Sequence, residues 1–314
     1  MTTRGALVFY SPIDRYDLWT DHIKRHLPDL PVRIYPDTVG AREDIAYALV
    51  WNPPPGELKS FPNLKCVFSL GAGVDHVLND PDFPRHVPLV RVVDPSLTAG
   101  MTEYVVMHTL IIHRRQRDFD ALQRAKKWRQ AVAPPARDVR VGIMGLGVLG
   151  LDAARHLRAF GYQIAAWSRA RKFEDGIESF AGPGELRSFL KLTDILVCLL
   201  PLTRDTRGII NRETLAMLRP GAALINAARG AHVVTGDLIA ALDSGHLKWA
   251  TLDVFEREPL PEDSPLWTHP KVTVTPHIAS ITDPRFVAET VARNIERMEK
   301  GLPPQNVVDL ARGY

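Results

Sequence analysis

The chain has 314 residues, too long for one small core and about right for two domains. Apolar residues make up 45 % and charged residues 24 %, a balance that supports a sizeable core and excludes wholesale disorder. The net charge of +3 attracts small anions but falls far short of a nucleic-acid-binding stripe, and no recognition motif accompanies it.

The opening stretch MTTRGALVFYSPIDRYD has no basic region followed by a long apolar one. No run approaches the roughly 20 apolar residues of a membrane span, so neither a secretion leader nor a membrane helix is expected. ALVFY (6–10), YALVW (47–51), LKCVFSL (64–70) and LVRVV (89–93) read as buried strands separated by helical stretches, the pattern of a parallel sheet covered on both faces. WNPPPGEL (51–58) must be a loop, because consecutive prolines cannot donate to a ladder. Cys66 and Cys198 both stand inside apolar runs and are expected as buried thiols. Two cysteines make no disulfide framework and fit a reducing, cytoplasmic compartment.

Residues 102–119, TEYVVMHTLIIHRRQRDF, are free of Gly and Pro and apolar on much of their surface. They read as one helix broad enough to bury more than one face, to link two domains and to pack against a partner subunit. His108 and His113 on it are expected to be packed or solvent-facing, and Arg114, Arg115 and Arg117 to form a solvated face or interface edge. AVAPPARD (131–138) reads as a linker. Beyond it VRVGIM, YQIAAW, DILVCLL, AALINA, WATLDV and KVTVTP are strands with room for helices between them, and a helix follows over about 284–300. The short tail after it is expected to return to the first domain. The boundaries expected are 1–101 with 284–314 for a discontinuous substrate domain, and 102–283 for a dinucleotide-binding domain. The fold class is α/β, with two doubly wound parallel sheets.

In VRVGIMGLGVLGLDAARHLRAFG a strand runs into Gly145, Leu146, Gly147, Val148, Leu149 and Gly150, and a helix follows. Glycines there allow a tight turn, close approach of backbone to a pyrophosphate and close helix–strand packing, while the helix N-terminus offers amide donors. In this context G-x-G-x-x-G marks a dinucleotide site. About twenty residues on, an NAD site places a carboxylate to bind the ribose 2′-hydroxyl. This chain has AAWSRARK instead, with Ser168, Arg169, Arg171 and Lys172. A carboxylate would repel a 2′-phosphate and a forked cation attracts one, so the loop points to NADP(H) in preference to NAD(H).

Three later strand ends carry polar groups that packing does not explain: INAARGAHV ends in Arg229, TLDVFEREPLP carries Asp253 and Glu258, and VTVTPHIAS ends in His277. All lie where an open α/β sheet binds ligands. No His, Cys, Asp and Glu cluster has metal-ligand spacing, so hydride chemistry without a metal is expected.

These segments, with the glycine turn and PLTRDTRGIINRETLAMLRPGAALINAARG, resemble the D-isomer-specific 2-hydroxyacid dehydrogenases. SLGAGVDHVL, EYVVM and the Ser-Arg cofactor loop narrow the resemblance to the glyoxylate/hydroxypyruvate reductase A branch, over most of residues 50–310. The resemblance implies a Rossmann domain beside a flavodoxin-like substrate domain. Arg229 would bind the substrate's carboxylate and keto oxygen. His277 would give a proton to that oxygen as hydride arrives, with Glu258 holding the imidazole. Backbone amides of Leu70, Gly71, Ala72 and Gly73 would hold the carboxylate, with Trp51 and Trp267 walling a small pocket. Asp253 would meet the nicotinamide carboxamide, and Leu200, Pro201, Ala227, Ala228 and His277 would lie beside the cofactor. A homodimer that reduces glyoxylate, hydroxypyruvate or a similar small 2-keto acid with NADPH is expected. The alternatives are a bulkier 2-keto acid as substrate, or an NADP(H)-sensing dimeric scaffold without turnover.

Overall fold

The apolar runs become strands because each is wanted on two faces. In the computed structural model, which describes residues 5–313, the first sheet comprises β1 (Ala6–Tyr10), β2 (Val32–Ile34), β3 (Ile45–Val50), β4 (Cys66–Ser69) and β5 (Leu89–Val90). Its order is β2-β1-β3-β4-β5 and its pairings are parallel, the doubly wound order of flavodoxin-like sheets. All six residues of β3 and all four of β4 are buried, so neither strand shows alternation. Helices α1 (Tyr16–His26) and α2 (Asp75–Leu78) follow β1 and β4. Strand β5 stops two residues in: the amide of Arg91 turns to the carbonyl of Asn306, and that of Val92 to the carbonyl of Gly71.

The long helix differs at both ends from the span its apolar residues suggest. Helix α3 covers Pro95–His113 and α4 covers Gln116–Arg124, with Arg115 between them at φ +60°. The start is set by Asp94, whose carboxylate accepts the amides of Ser96 (2.7 Å) and Leu97 (3.3 Å), and by Pro95 in the first turn. The end comes after Ile112, the last buried apolar residue of the helix; beyond the break Arg117 still reaches the sheet, its guanidinium 4.7 Å from the Trp249 ring centroid and donating to the Val272 carbonyl at 2.7 Å, so it is not the solvated residue that its charge suggests. His113 is pinned there by the Tyr162 hydroxyl (2.6 Å) and the Pro134 carbonyl (2.7 Å).

The second sheet comprises β6 (Arg140–Met144), β7 (Gln163–Ser168), β8 (Ile177–Ala181), β9 (Ile195–Cys198), β10 (Ala222–Asn226), β11 (Leu247–Leu252) and β12 (Val272–Val274). Its order β12-β11-β10-β9-β6-β7-β8 is the Rossmann order with a seventh strand added beyond the sixth. Helices α5 (Val148–Ala159), α6 (Gly182–Leu192), α7 (Arg212–Met217) and α8 (Thr235–Asp243) join the strands. Side chains alternate between two cores. Val141, Ile143, Ile164, Ile195, Val197 and Ile225 pack with residues of α3 and α5, while Met144, Trp167, Leu196, Cys198 and Leu224 pack with residues of α6, α7 and α8. Finally α9 (Pro284–Glu299) packs beside α1. The chain thus divides into one unit of Met1–Leu97 with Thr282–Tyr314 and another of Thr98–Ile281. Both cysteines are buried free thiols, pushed up to about 12 by burial.

Phe189 is fully buried between α6 and the sheet. Replacing it with Ala is expected to cost about 3–5 kcal/mol in urea unfolding; a midpoint within error of wild type would contradict this packing.

Candidate active site

Parallel strands put every one of their carboxyl ends on the same edge of a sheet, and the candidate residues of the second unit all follow such ends. The glycine turn follows β6. Gly145 has φ +101°, and a Cβ on it would lie 2.6 Å from the carbonyl oxygen of Leu199, so the turn sits against the end of β9 where Leu200 and Pro201 begin. A Cβ on Gly150 would meet the Gly145 carbonyl at 1.9 Å, which ties α5 to the turn. A Cβ on Gly147 would meet nothing within 4 Å, and Gly147 and Val148 are exposed at the helix N-terminus. Two glycines therefore shape the turn, and the third leaves backbone open to a phosphate, which suits the amides of Val148 and Leu149 to a dinucleotide.

Strand β7 ends at Ser168, whose hydroxyl donates to the Ala170 carbonyl at 2.8 Å; Arg169 beside it is exposed. Arg171 is committed to Glu185 (2.5 Å) and to the Ser179 carbonyl, and Lys172 donates to the carbonyl of Leu146 in the glycine turn. No carboxylate stands at the end of β7. Of the three cations, Arg171 has its charge offset by Glu185, Lys172 leans over the phosphate turn, and Arg169 adjoins Ser168.

The polar set lies after β10, β11 and β12. The imidazole Nδ1 of His277 is 2.7 Å from Glu258 Oε2, and Glu258 Oε1 accepts the Phe255 amide at 2.8 Å. A carboxylate accepts, so Nδ1 carries a proton. Burial works against ionisation of Glu258. The bonds from His277 and Phe255, and the charges of His277 and Arg229, more than offset it and hold the carboxyl below the usual glutamate range. Arg229 follows β10; its guanidinium donates to the Ala228 carbonyl at 2.7 Å. Gly230 after it has no room for a Cβ, which would fall 1.8 Å from the carbonyl carbon of Phe255, so the Arg229 loop lies directly on the chain that carries Glu258.

His277 itself has φ +55°, a conformation that costs a non-glycine residue about 1–3 kcal/mol. Its environment holds it there. Its amide donates to the carbonyl of Asp253 (2.8 Å). The Asp253 carboxylate, 1 % exposed, accepts the amides of Ile278 (2.9 Å) and Ala279 (2.8 Å) and the hydroxyl of Thr275 (2.6 Å). Thr275 has spent its only proton on Asp253, so the Tyr104 hydroxyl, 2.7 Å away, is the donor to Thr275. The resemblance puts Asp253 at a cofactor contact; in the structure its carboxylate holds the two amides just beyond His277 and the Thr275 side chain just before it. Burial, with the charge of Asp253, raises the Tyr104 phenol.

In the first unit, Trp51 follows β3 and Leu70–Gly73 follow β4, again at carboxyl ends. A Cβ on Gly71 would lie 2.6 Å from the Trp51 ring. Trp267 stands in the loop before β12, half exposed, with its indole N–H on the Pro261 carbonyl at 2.9 Å.

Sequence reasoning passed over four residues that shape the site. Tyr104 and Thr275 belong to the chain just described. Asn226, fully buried, accepts the Ala228 amide (3.2 Å) and donates to the Arg229 carbonyl (3.0 Å). His232, also fully buried, accepts the Arg229 amide at Nδ1 (3.2 Å), so its Nε2 carries the proton and faces the Pro201 carbonyl at 3.3 Å. Asn226 had a signal: it is the polar last residue of the otherwise apolar β10. Among the described residues no group of three or more His, Cys, Asp and Glu could hold a metal ion.

The family model for the D-isomer specific 2-hydroxyacid dehydrogenase NAD binding domain matches residues 106–279. A glyoxylate/hydroxypyruvate reductase A from Salmonella heidelberg (strain SL476) is 44% identical over 313 residues, covering 98% of this chain and 99% of its own. A D-isomer specific 2-hydroxyacid dehydrogenase from Xanthobacter autotrophicus Py2, solved with NADPH and MES, superposes with a TM-score of 0.94 at 45% identity, covering 99% of this chain and 100% of its own. An NADPH-dependent glyoxylate/hydroxypyruvate reductase from Sinorhizobium meliloti, solved with NADP and sulfate, gives 0.92 at 43% identity, covering 98% and 100%.

Thr275→Val leaves the Asp253 carboxylate and the Tyr104 hydroxyl each short of a partner. Urea unfolding is expected to show a loss of about 1–3 kcal/mol, and a smaller loss for Tyr104→Phe, which removes only the outermost hydroxyl. Equal stability of Thr275→Val and wild type would contradict the clasp.

Proposed function

Because the chain belongs to the D-isomer-specific 2-hydroxyacid dehydrogenase family, we propose that it reduces a small 2-keto acid, glyoxylate or hydroxypyruvate, to the 2-hydroxy acid with NADPH, the D isomer where the product is chiral. The observation that carries this reading is the His277–Glu258 pair, 2.7 Å apart at the carboxyl edge of a dinucleotide-type sheet and within reach of the Arg229 charge. Such a pair serves proton transfer to an oxygen.

The unit of 98–281 is the cofactor domain in this reading, and the other unit carries the carboxylate-binding loop. The glycine turn takes the pyrophosphate, with Leu200, Pro201, Ala227 and Ala228 lining the cofactor's path. Ser168 and Arg169 take the 2′-phosphate, and Lys172 adds charge beside the turn. NADPH, when bound, supplies hydride to the keto carbon. His277 gives a proton from Nε2 to the keto oxygen and recovers it in the reverse direction, so C=O becomes H–C–O–H with one hydride and one proton consumed. Arg229 meets the substrate's carboxylate and keto oxygen with a forked cation, a task a lysine could not match. Backbone amides of Leu70–Gly73 hold the carboxylate, and Trp51 limits the pocket to small side chains. A homodimer belongs to this reading, as the family resemblance implies.

Initial rates with glyoxylate, hydroxypyruvate and phenylpyruvate test the reading. Turnover of the two small acids with NADPH, and at least about tenfold less with NADH, is expected. Preference for phenylpyruvate would move the assignment to bulkier substrates. Ser168→Asp with Arg169→Ala should swing the preference toward NADH; an unmoved ratio would remove these residues from cofactor selection.

The pH dependence has a definite sign. Glu258 stays ionised below the usual glutamate range, so near neutrality it is the carboxylate that accepts the His277 Nδ1 proton. Reduction needs the protonated ring. The pair is therefore expected to survive as pH falls until the pH passes below the usual glutamate range, and a loss of reduction activity through carboxylate protonation at the ordinary glutamate value would contradict the assignment.

A further inference from the structure

Ser69 and His76 in the first unit form a pair that no step so far has used. Ser69, at the end of β4, is fully buried, and its hydroxyl lies 3.0 Å from His76 Nε2 on α2. The pair looks like a nucleophile with its base, and the hydrogen bonds exclude that reading. The amide of Asn52 donates to His76 Nδ1 at 3.0 Å. An amide can only donate, so Nδ1 bears a lone pair and the ring proton of the neutral tautomer is on Nε2, pointing at Ser69. Ser69 therefore accepts from His76. Its own proton goes to the carbonyl of Gly71 (3.0 Å) or Gly73 (3.1 Å), and it also accepts the Gly71 amide at 3.2 Å.

His76 thus joins two loops. On one side it holds the Trp51–Asn52 turn after β3, where Asn52 has φ +48° and the Trp51 ring lies 4.3 Å from the imidazole centroid. On the other it holds, through Ser69, the Leu70–Gly73 loop. The Trp51 ring also presses on Gly71 where a Cβ would stand. We propose that His76, acting through Ser69, is a positioning residue that sets the spacing between the Leu70–Gly73 amides and the Trp51 wall, and with it affinity and size selection for the 2-keto acid. This rests on the reading of Leu70–Gly73 as the carboxylate-binding loop.

Steady-state kinetics of the full-length enzyme with NADPH test it. His76→Ala is expected to raise KM for glyoxylate and hydroxypyruvate about tenfold, with kcat and the KM for NADPH changed less than about threefold. The ratio of glyoxylate to phenylpyruvate turnover should fall as the wall loosens. His76→Gln, which keeps a donor for Ser69 and an acceptor for Asn52, should recover most of the loss. Ser69→Ala, a smaller perturbation, should reproduce the KM effect if His76→Ala does not fold. Wild-type KM values in a folded His76→Ala or Ser69→Ala, or equal rises in KM for keto acid and NADPH, would overturn the proposal. Pyruvate and methyl pyruvate, compared on the wild-type enzyme, separate the two levels. If the ester is turned over as well as the acid, the carboxylate-loop reading fails; if the acid is preferred and His76→Ala leaves KM unchanged, only the His76 proposal fails.

Discussion

The site of the second unit depends on one buried carboxylate. Asp253 holds three hydrogen bonds at 2.6–2.9 Å with 1 % of its surface exposed, two of them from the amides just beyond His277. Its own carbonyl takes the His277 amide. These bonds offset the left-handed backbone at His277 and aim the ring at Glu258. A buried carboxylate is costly unless its oxygens are filled, so the same bonds that stabilise Asp253 fix the His277 loop. The proposed function thus draws on the contacts that stabilise this edge of the sheet, which reach through Thr275 to Tyr104 on α3.

Sheet topology does the rest of the positioning. Parallel pairing delivers the glycine turn, Ser168, Leu200, Arg229, Asp253 and His277 to one edge of one sheet. Each residue needs only a short loop to bring it into place, and local sterics fix each loop. Gly145 and Gly150 fit the turn to β9 and α5, and Gly230 fits the Arg229 loop to the Glu258 segment. The first unit repeats the device with a different lock, the Ser69–His76 pair, in place of a buried carboxylate.

Much of this was legible in the sequence. Buried parallel strands read as continuous apolar runs, and a polar residue at the end of such a run stands out, which is why Arg229, Glu258 and His277 could be singled out. The edge strands β2 and β8 were not legible: their residues are largely half-exposed and β8 carries Glu178, so neither makes an apolar run. The break after His113 was hidden because the helix ends through a left-handed Arg115 with no Gly or Pro to mark it. The locks were the least visible of all. Thr275, Tyr104, Ser69 and His76 act through partners that are distant in sequence or set by loop conformation, as Tyr104 and Thr275 show at 171 positions apart.

In the proposed function His277 exchanges the proton and does not hold the cofactor. The most direct measurement is single-turnover reduction of glyoxylate by His277→Gln, alongside fluorescence titration of the same variant with NADPH. A loss of at least about a hundredfold in the chemical step is expected, with NADPH affinity within about twofold of wild type. A large loss of NADPH affinity with the chemical step nearly intact would contradict it.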